Sequence, residues 1–381
     1  MRLILVGRVT GVSIRGGPAP AHDRDSGSLA LDSGFDVEDP LDALSDVLRI
    51  VRLTGAVFMD AEFGEPWCIG EPAGVEVCIE HLPDAQHVVF YHLVTEGRCQ
   101  VSVAGQAPVS AGTGDLVVIP GGEAHALGSD LSRLPVPGEP FVVRRGPDDV
   151  PRVRHGGGGA ATRMVCGYLA CHSSLFETVL AALPRVMIVS MRDGPAAQWL
   201  TSSIRFSVAE SAAQRTGAGA MLAKISELMF LEAIRRHIET MPADQTGWLA
   251  GLRDPSVGRA LALIHSKPAG GWTVEELARA VGVSRSVLAE RFTSLVGQPP
   301  MQYLARWRLR LAGDLLRSSR QTVAGVAGEV GYESEAAFSR AFKREMGLAP
   351  AAWRRSSEAP VRPGRGSRDG GSSHSAGSAA K

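Results

Sequence analysis

A short pattern that occurs twice near the carboxyl end constrains the fold of this chain more than any other feature. The first copy, TVEELARAVGVSRSVLAERFTSLVG, runs from Thr273 to Gly297, and the second, TVAGVAGEVGYESEAAFSRAFKREMG, runs from Thr322 to Gly347. Equivalent positions lie 49 residues apart up to Gly282 and 50 apart after it. Because the two copies agree on both sides of a one-residue insertion, we interpret the pattern as an internal repeat.

Each copy is predicted to form a helix, a short turn and a second helix. Thr273 followed by Glu276 is a capping-box start, and Gly282 suits a left-handed helix end. Leu288 and Phe292 then recur at helical spacing. The second helix of such a unit, the recognition helix, can enter a DNA major groove. A generic small helical domain remains the alternative for one copy, whereas two copies in register favour paired helix-turn-helix units.

The charge distribution points in the same direction. The net charge is zero, yet residues 251–355 contain 16 Lys or Arg against 9 Asp or Glu. Residues 1–250 contain 20 basic and 29 acidic residues. A basic module joined to an acidic one is typical of a protein that meets nucleic acid with one end. Charge asymmetry is common, so this observation supports the repeat and does not replace it.

The first half of the chain has a different periodicity. Between Ala56 and about Val143, short β-like runs alternate with Gly, Pro and Asp turns, which predicts a β-sandwich or barrel. A helix is predicted from Pro40 to Gly55, and residues 144–160 are predicted to be a linker. The segment Ala218–Thr240 is helical and apolar on several faces. It is either an ordinary core helix or a dimer-forming helix.

One β segment carries a recognisable signature. GDLVVIPGGEAH, Gly114 to His125, resembles the second signature of the cupin β-barrels. In metal-binding cupins that His joins two His and one Glu from an earlier signature, but Phe90 stands here where the Glu would be. We therefore expect His92 and His125 to bond within the barrel and no metal or cofactor to be held. A rearranged metal site, and with it a metal-dependent cupin enzyme tethered to DNA, is the alternative reading. No residue pairing in this segment indicates catalysis.

The cysteines are candidates for sensing an oxidant. Five of them in a chain of 381 residues is an odd number, which favours a reducing cytoplasm over a disulfide framework. The four residues between Cys166 and Cys171 do not match a zinc knuckle. Buried inert thiols are one interpretation and oxidant sensing is the other, since sensing needs a low thiolate pKa. The candidate sensing residues are His92, His125, Cys99, Cys166 and Cys171.

The positions after each turn are predicted to contact DNA. Arg can pair with guanine, Glu can accept from a cytosine amino group, and Ala can pack on a thymine methyl. Lys343 and Arg344 suit phosphates. The helix expected between the copies, Met301–Arg317, is long enough to place both recognition helices on one face of DNA. The predicted DNA-binding residues are Ser284, Arg285, Ser286, Ala289, Glu290, Arg291, Ser334, Glu335, Ala336, Ala337, Ser339, Arg340, Lys343 and Arg344.

The carboxyl-terminal third resembles the AraC/XylS transcription regulators. The residues that carry the resemblance are GYESEAAFSRAFKREMGLAPAAWRR, Gly331 to Arg355, and PPMQYLARWRLRLA after the first copy. The resemblance implies a sequence-specific regulator that binds promoter DNA with both units and is controlled by a small-molecule or redox signal in the cupin region. The small residues Ala289, Ala336 and Ala337 suggest that the two units read DNA unequally. A sequence-indifferent architectural DNA binder is a further alternative.

These observations predict a multi-domain α+β protein with an N-terminal cupin-like β-barrel, a helical connector and a C-terminal all-α double helix-turn-helix. The expected partners are double-stranded promoter DNA, a small-molecule effector or oxidant, a second copy of the chain and RNA polymerase, in the cytoplasm and without a membrane. The expected parts are a disordered extension (1–38), a cupin-like sensor (39–150), a linker and helical connector with a dimerisation region (151–250), a DNA-binding domain (251–355) and a disordered tail (356–381).

Overall fold

The computed structural model describes residues 44–45, 53–74, 85–143, 150–171, 173, 175–213, 215–242 and 244–358. The predicted extension over 1–38 lies outside these ranges. Most of the predicted tail also lies outside them, although a helix continues to Glu358. Within the described part of the chain, strands predominate up to Ser190 and only helices follow it, so the multi-domain α+β class is confirmed.

The strands form two sheets and not one closed barrel. The seven-stranded sheet has the order β12-β6-β3-β11-β1-β10-β9, and the five-stranded sheet has the order β5-β4-β7-β2-β8. The strands are β1 (Leu53–Gly64), β2 (Cys68–Glu71), β3 (His87–Glu96), β4 (Arg98–Val103), β5 (Val109–Gly112), β6 (Asp115–Ile119), β7 (His125–Gly128), β8 (Val136–Pro137), β9 (Val142–Val143), β10 (Arg152–Gly156), β11 (Ala161–Cys171) and β12 (Met187–Ser190).

The seven-stranded sheet is buried on both faces. In β3, Val88 and Phe90 pack into the cluster between the two sheets, whereas Val89 and Tyr91 pack into a second cluster that is shared with the helices. Successive side chains of a strand point to opposite faces, so both faces need apolar residues. The run HVVFYHLV is apolar nearly throughout for this reason.

Three sequence-based boundaries are wrong. Gly55 lies in β1 and does not end a helix. The predicted linker 144–160 contains β10, which pairs in parallel with β1. The glycines after β10 form a tight turn, in which the Gly157 N–H donates to the Gly64 carbonyl at 2.7 Å. The sheet continues to Ser190 through β11 and β12, so a sensor boundary at residue 150 falls inside it. The secondary structure of these segments is determined by pairing with strands that are distant in the sequence. Local composition does not reveal such pairing.

Helices cover the seven-stranded sheet and then form the carboxyl-terminal module. The helices are α1 (Phe176–Leu180), α2 (Pro195–Ala212), α3 (Ala218–Thr240), α4 (Trp248–Arg253), α5 (Pro255–Ser266), α6 (Val274–Ala280), α7 (Arg285–Val296), α8 (Pro300–Ser318), α9 (Val323–Glu329), α10 (Glu335–Met346) and α11 (Pro350–Glu358).

Both copies of the repeat fold as helix-turn-helix units, which confirms the prediction. Thr273 and Glu276 form the expected capping box at α6. Ser284 and Ser334 cap the recognition helices α7 and α10, where their hydroxyls accept from backbone N–H groups at 3.3 and 3.4 Å. These bonds satisfy donors that a helix start leaves free. Gly282 adopts a positive φ of 76°.

The two units belong to different hydrophobic clusters. Leu288 and Phe292 of the first unit lie in the large cluster that also contains the sensor helices. Phe338 and Phe342 of the second unit lie in a smaller cluster of their own. Helix α8 contributes to both clusters, so it joins the two units mechanically.

The two turn glycines provide a matched stability test. Gly282 and Gly331 both have positive φ, and an alanine at either position costs about 1–2 kcal/mol of backbone strain. A Cβ at Gly282 would meet nothing within 4 Å, whereas one at Gly331 would lie 2.8 Å from the Ala269 Cα. We expect Gly331→Ala to lower the urea unfolding midpoint clearly more than Gly282→Ala. Equal shifts would contradict this account of the turn.

Candidate nucleic-acid interface and sensor cluster

The recognition helices α7 and α10 present most of the predicted contact residues to solvent. Ala289, Ala337 and Ser339 are half-buried, and the other predicted DNA-binding residues are exposed. Equivalent positions carry different chemistry, because Glu290 of the first copy corresponds to Arg340 of the second. The two helices therefore offer different hydrogen-bonding groups to any DNA that lies across them.

The basic side chains of the two helices differ in what holds them. Arg285 forms an ion pair with Glu275 at 2.9 Å, and Arg291 lies 3.8 Å from the Asp254 carboxylate. The side chains of Arg340 and Lys343 form no ion pair or hydrogen bond with the described residues. A phosphate or base must compete with a carboxylate for the first two cations but not for the second two. Exposed pairs are worth about 0.2–1 kcal/mol, so this competition is modest.

Arg308 connects the two units, and sequence reasoning missed this role. From α8, its guanidinium donates to the Pro268 carbonyl at 2.6 Å and to the Gly270 carbonyl at 2.8 Å. It also reaches the Gly331 carbonyl in the turn of the second unit at 3.4 Å. The sequence showed only a polar position on an amphipathic helix. The 19 residues of α8 span roughly 28 Å.

The predicted sensing residues lie in two places. His92, Cys99, His125 and Cys166 share the inward face of the two-sheet sandwich, while Cys171 faces the cluster on the helix side. Glu71 joins the first group, because it lies opposite His125 in the pairing of β2 with β7. We call Glu71, His92, Cys99, His125 and Cys166 the sensor cluster. Sequence reasoning missed Glu71, since the pairing partner of a short strand is not visible locally.

The two histidines of the sensor cluster bond to each other. His125 Nδ1–H donates to the Glu123 carbonyl at 2.8 Å, because a carbonyl can only accept. The neutral Nε2 of His125 then accepts from His92 Nε2–H at 2.8 Å. His92 Nδ1 is buried with no hydrogen-bond partner among the described residues. Burial, and then the neighbouring His125, lower the pKa of His92 well below its ordinary value.

Burial also shifts the pKa values of Glu71, Cys99 and Cys166 in the direction that favours their neutral forms. Burial raises the pKa of the Glu71 carboxyl to about 7. Burial, followed by the charge of Asp115, raises the pKa of the Cys99 thiol to about 12. Burial raises the pKa of Cys166 well above its ordinary range, with Glu71 as the next contribution. Thiols in such surroundings are poor nucleophiles toward oxidants, since the thiolate is the reactive form.

Metal coordination has little support in this geometry. The described residues contain no group of three or more His, Cys, Asp or Glu side chains placed to hold a metal ion. The Nε2 atoms of His92 and His125 are occupied by their mutual hydrogen bond. The sensor cluster is therefore a largely buried group of hydrogen-bonding side chains. Within the described part of the chain, no helix combines the length and apolar character that crossing a bilayer requires.

Glu71 makes stability depend on pH. The unfolded chain ionises this carboxyl above its ordinary pKa of 4.5, whereas the folded chain keeps it protonated up to about 7. Its contribution to the free energy of unfolding therefore falls as the pH rises through this window. We expect Glu71→Gln to increase the free energy of unfolding at about pH 8 by on the order of 1–3 kcal/mol, and by much less at about pH 5. The increase is measured as a higher melting temperature.

The control for this measurement is Glu239→Gln, which changes an exposed carboxyl at the end of α3. Its effect on the melting temperature should be small and nearly the same at both pH values. An equal stabilisation by Glu71→Gln at both pH values would contradict the claim that burial raises the pKa of the Glu71 carboxyl.

Comparison with known proteins agrees with this geometry. The cupin family matches residues 42–239, and a helix-turn-helix domain family matches residues 277–356. Proteins described as AraC-like transcription regulators are similar over 83% of this chain: one from Streptomyces lividans is 34% identical over 98% of its length, and one from Streptomyces antibioticus is 33% identical over 99%. The HTH-type transcriptional regulator AlkR of Acinetobacter baylyi is 28% identical over its full length. The chain belongs to the AraC-like family of transcription regulators.

Proposed function

We propose that this regulator recognises specific promoter sequences with both recognition helices and that its sensor region controls this binding. The observation that carries the proposal is the pair of exposed, differently charged recognition helices α7 and α10 on one continuous spacer, α8. Arg308 joins the spacer to both units, so the two helices would approach DNA in a set relative orientation. A roughly 28 Å spacer is of the order of the 34 Å repeat of one DNA groove face.

The two helices are proposed to read different bases. Arg340 can pair with guanine, while Glu290 at the equivalent position can accept from a cytosine amino group. The second helix would contribute more affinity, because Arg340 and Lys343 need not leave a carboxylate to reach DNA. Small half-buried residues, such as Ala289 in the first helix and Ala337 in the second, leave room for contacts that depend on DNA shape.

Base selection by the variants tests this assignment. We expect Arg340→Ala to weaken specific binding by roughly 1–3 kcal/mol and to relax the preference at one base position. Glu290→Ala should relax a position in the other half of the site. Both are measured by selecting bound sequences from a random DNA pool at fixed salt concentration. Unchanged base preferences would overturn the assignment, and a wild-type chain that selects no sequence would favour an architectural DNA binder.

The signal is proposed to be a small molecule and not an oxidant. The raised pKa values of Cys99 and Cys166 oppose thiolate chemistry at neutral pH. A ligand can shift the protein between two states only by its difference in affinity for them. We propose that the chain is not an enzyme. Stoichiometric Fe, Mn or Ni in the purified protein, lost in a His125→Ala variant, would instead support a metal-dependent cupin enzyme.

We also propose a homodimer formed through α2 and α3. Trp199 and Phe206 are each 58% exposed on α2, and Met221 and Leu228 are 51% and 44% exposed on α3. In both helices the two residues are seven apart, so they project from the same side two turns from each other. The two helices pack against each other, and each presents one pair of exposed apolar side chains.

A second copy of the chain is the partner that fits this face. Charged pairs of both signs lie on α3 beside it, namely Lys224 with Glu227 at 3.0 Å and Arg235 with Glu232 at 3.7 Å. A two-fold interface requires a self-complementary surface, and an apolar stripe with both charge signs on its rim meets this requirement. Dimers would bind promoter DNA in the cytoplasm, where RNA polymerase is also a proposed partner.

Removal of one apolar side chain tests the dimer. We expect Phe206→Ser to shift the chain toward monomer in sedimentation experiments, because the exposed ring loses its apolar contact area. Gln198→Ser, an exposed change on the same helix but outside the stripe, should leave the distribution unchanged. A wild-type chain that stays monomeric with and without bound DNA would contradict the proposal.

A further inference from the structure

One side chain of α8 joins the carboxyl ends of the two recognition helices. Arg306 Nη1–H donates to the Gln298 side-chain carbonyl at 3.1 Å, and Arg306 Nε lies 3.5 Å from the Glu345 carboxylate. Gln298 directly follows Gly297, the residue that ends α7. Glu345 is the last but one residue of α10. We call these two contacts the Arg306 bridge.

The charge of the bridge suits its position. The carboxyl end of a helix carries a partial negative charge, so an acidic side chain there is unfavourable unless a cation offsets it. Glu345 lies in the last turn of α10, and α7 has no basic residue in its own last turn. Arg306 places a guanidinium beside both ends. Among the described residues, Glu345 forms no other ion pair.

The end of α7 is also held by the segment that leads from the sensor helices. The Gly247 N–H donates to the Leu295 carbonyl at 2.6 Å. Leu295 lies in the last turn of α7, where carbonyl groups lack a partner within the helix. This bond and the packing of Leu288 and Phe292 anchor α7. The Arg306 bridge therefore relates the end of α10 to an end that is already fixed.

Helix α10 has a different attachment. Its Phe338 and Phe342 pack with Leu309 and later residues of α8, in a cluster separate from that of α7. Arg306 comes before Leu309 on α8, so the bridge adds a contact outside this cluster, at the end of α10. A packed face alone permits small rotations about it, whereas a second contact at the helix end opposes them. The bridge thus restrains the direction in which α10 points.

Small changes in this direction are large on the scale of DNA. Arg340 lies five residues before Glu345, which is about 7.5 Å along the helix. A rotation of roughly 25° about the carboxyl end moves this position by about 3 Å, close to the DNA rise of about 3.4 Å per base pair. A fixed direction of α10 therefore corresponds to a fixed number of base pairs between its contacts and those of α7.

We propose that Arg306 is a positioning residue, which fixes the number of base pairs between the two DNA segments that α7 and α10 read. This inference rests on the proposed function, because it requires that both recognition helices bind specific bases. The side chains of Arg306 and Glu345 are 47% and 26% exposed, so the pair is modest in strength. Its loss should loosen the spacing between the segments without unfolding the module or changing which bases are read.

Binding sites with altered spacing test this role. The two parts of the selected DNA site are placed at their native spacing and at one base pair fewer or more. Affinity for the full-length protein is measured at fixed salt concentration. We expect the wild type to bind the native spacing about tenfold more tightly than either altered spacing. Arg306→Gln should reduce this ratio about two- to fivefold, with unchanged base preference within each part.

Two further variants separate the bridge from a general loss of charge. Arg279→Gln removes the same charge from an exposed position on α6, so it should weaken binding by the same factor at all three spacings. The reversed pair, Arg306→Glu with Glu345→Arg, should restore the preference for the native spacing. Arg306→Glu alone should reduce this preference more than Arg306→Gln, because two carboxylates then face each other. Urea unfolding curves check that each variant is folded.

The inference and the proposed function fail in different ways. A wild-type chain that selects no two-part site would remove the proposed function and this inference with it. A two-part site whose spacing is equally strict for the wild type and Arg306→Gln would retain the proposed function and overturn the role of Arg306. A reversed pair that keeps the loosened spacing of Arg306→Gln would overturn the ion pair with Glu345 as the cause.

Discussion

Helix α8 is the element on which the rest of the DNA-binding module depends. Tyr303, Leu304 and Trp307 on its first half pack into the cluster of the first helix-turn-helix unit. Leu309, Ala312 and Leu316 on its second half pack into the cluster of the second unit. A rigid helix that is buried at both ends cannot tilt at one end without disturbing the packing at the other. The relative position of the two recognition helices follows from this shared burial and from the Arg308 hydrogen bonds.

The same packing brings the sensor close to DNA-binding elements. The first unit belongs to one hydrophobic cluster with the sensor helices and with the outer face of the seven-stranded sheet, and Tyr91 in that sheet bonds to Ser226 of α3 at 2.6 Å. A polar contact also joins the sensor to α8, because Ser173 Oγ donates a hydrogen bond to the Asp314 carboxylate. The second unit lacks such a shared cluster within the described residues. Among the described residues, α8 contributes to both clusters, so the connection of the second unit to the sensor runs through this helix.

Sequence reasoning was accurate where local chemistry decides the structure. The Thr273–Glu276 capping box and Gly282 each act within one turn of chain, and both were confirmed. It failed at β10, whose strand character comes from pairing with β1 across many residues. Glu71 and Arg308 were missed for a related reason. Each looks like an ordinary polar residue until distant segments are brought beside it, and burial, pairing distance and cavity walls are properties of those segments.

By itself, the sequence determined the double helix-turn-helix, its caps, its basic charge and the β-rich sensor ahead of it, because periodicity, turn residues and charge are written locally along the chain. The tertiary structure alone decided that the strands form two sheets, that His92 and His125 bond to each other, and that Arg308 joins the two units. It alone decided that residues of α1, α4 and α8 line a common cleft between the sensor and the DNA-binding module. These features depend on contacts between residues that are far apart in the sequence. Those contacts are set by how the two buried faces of the sheet and both ends of α8 pack.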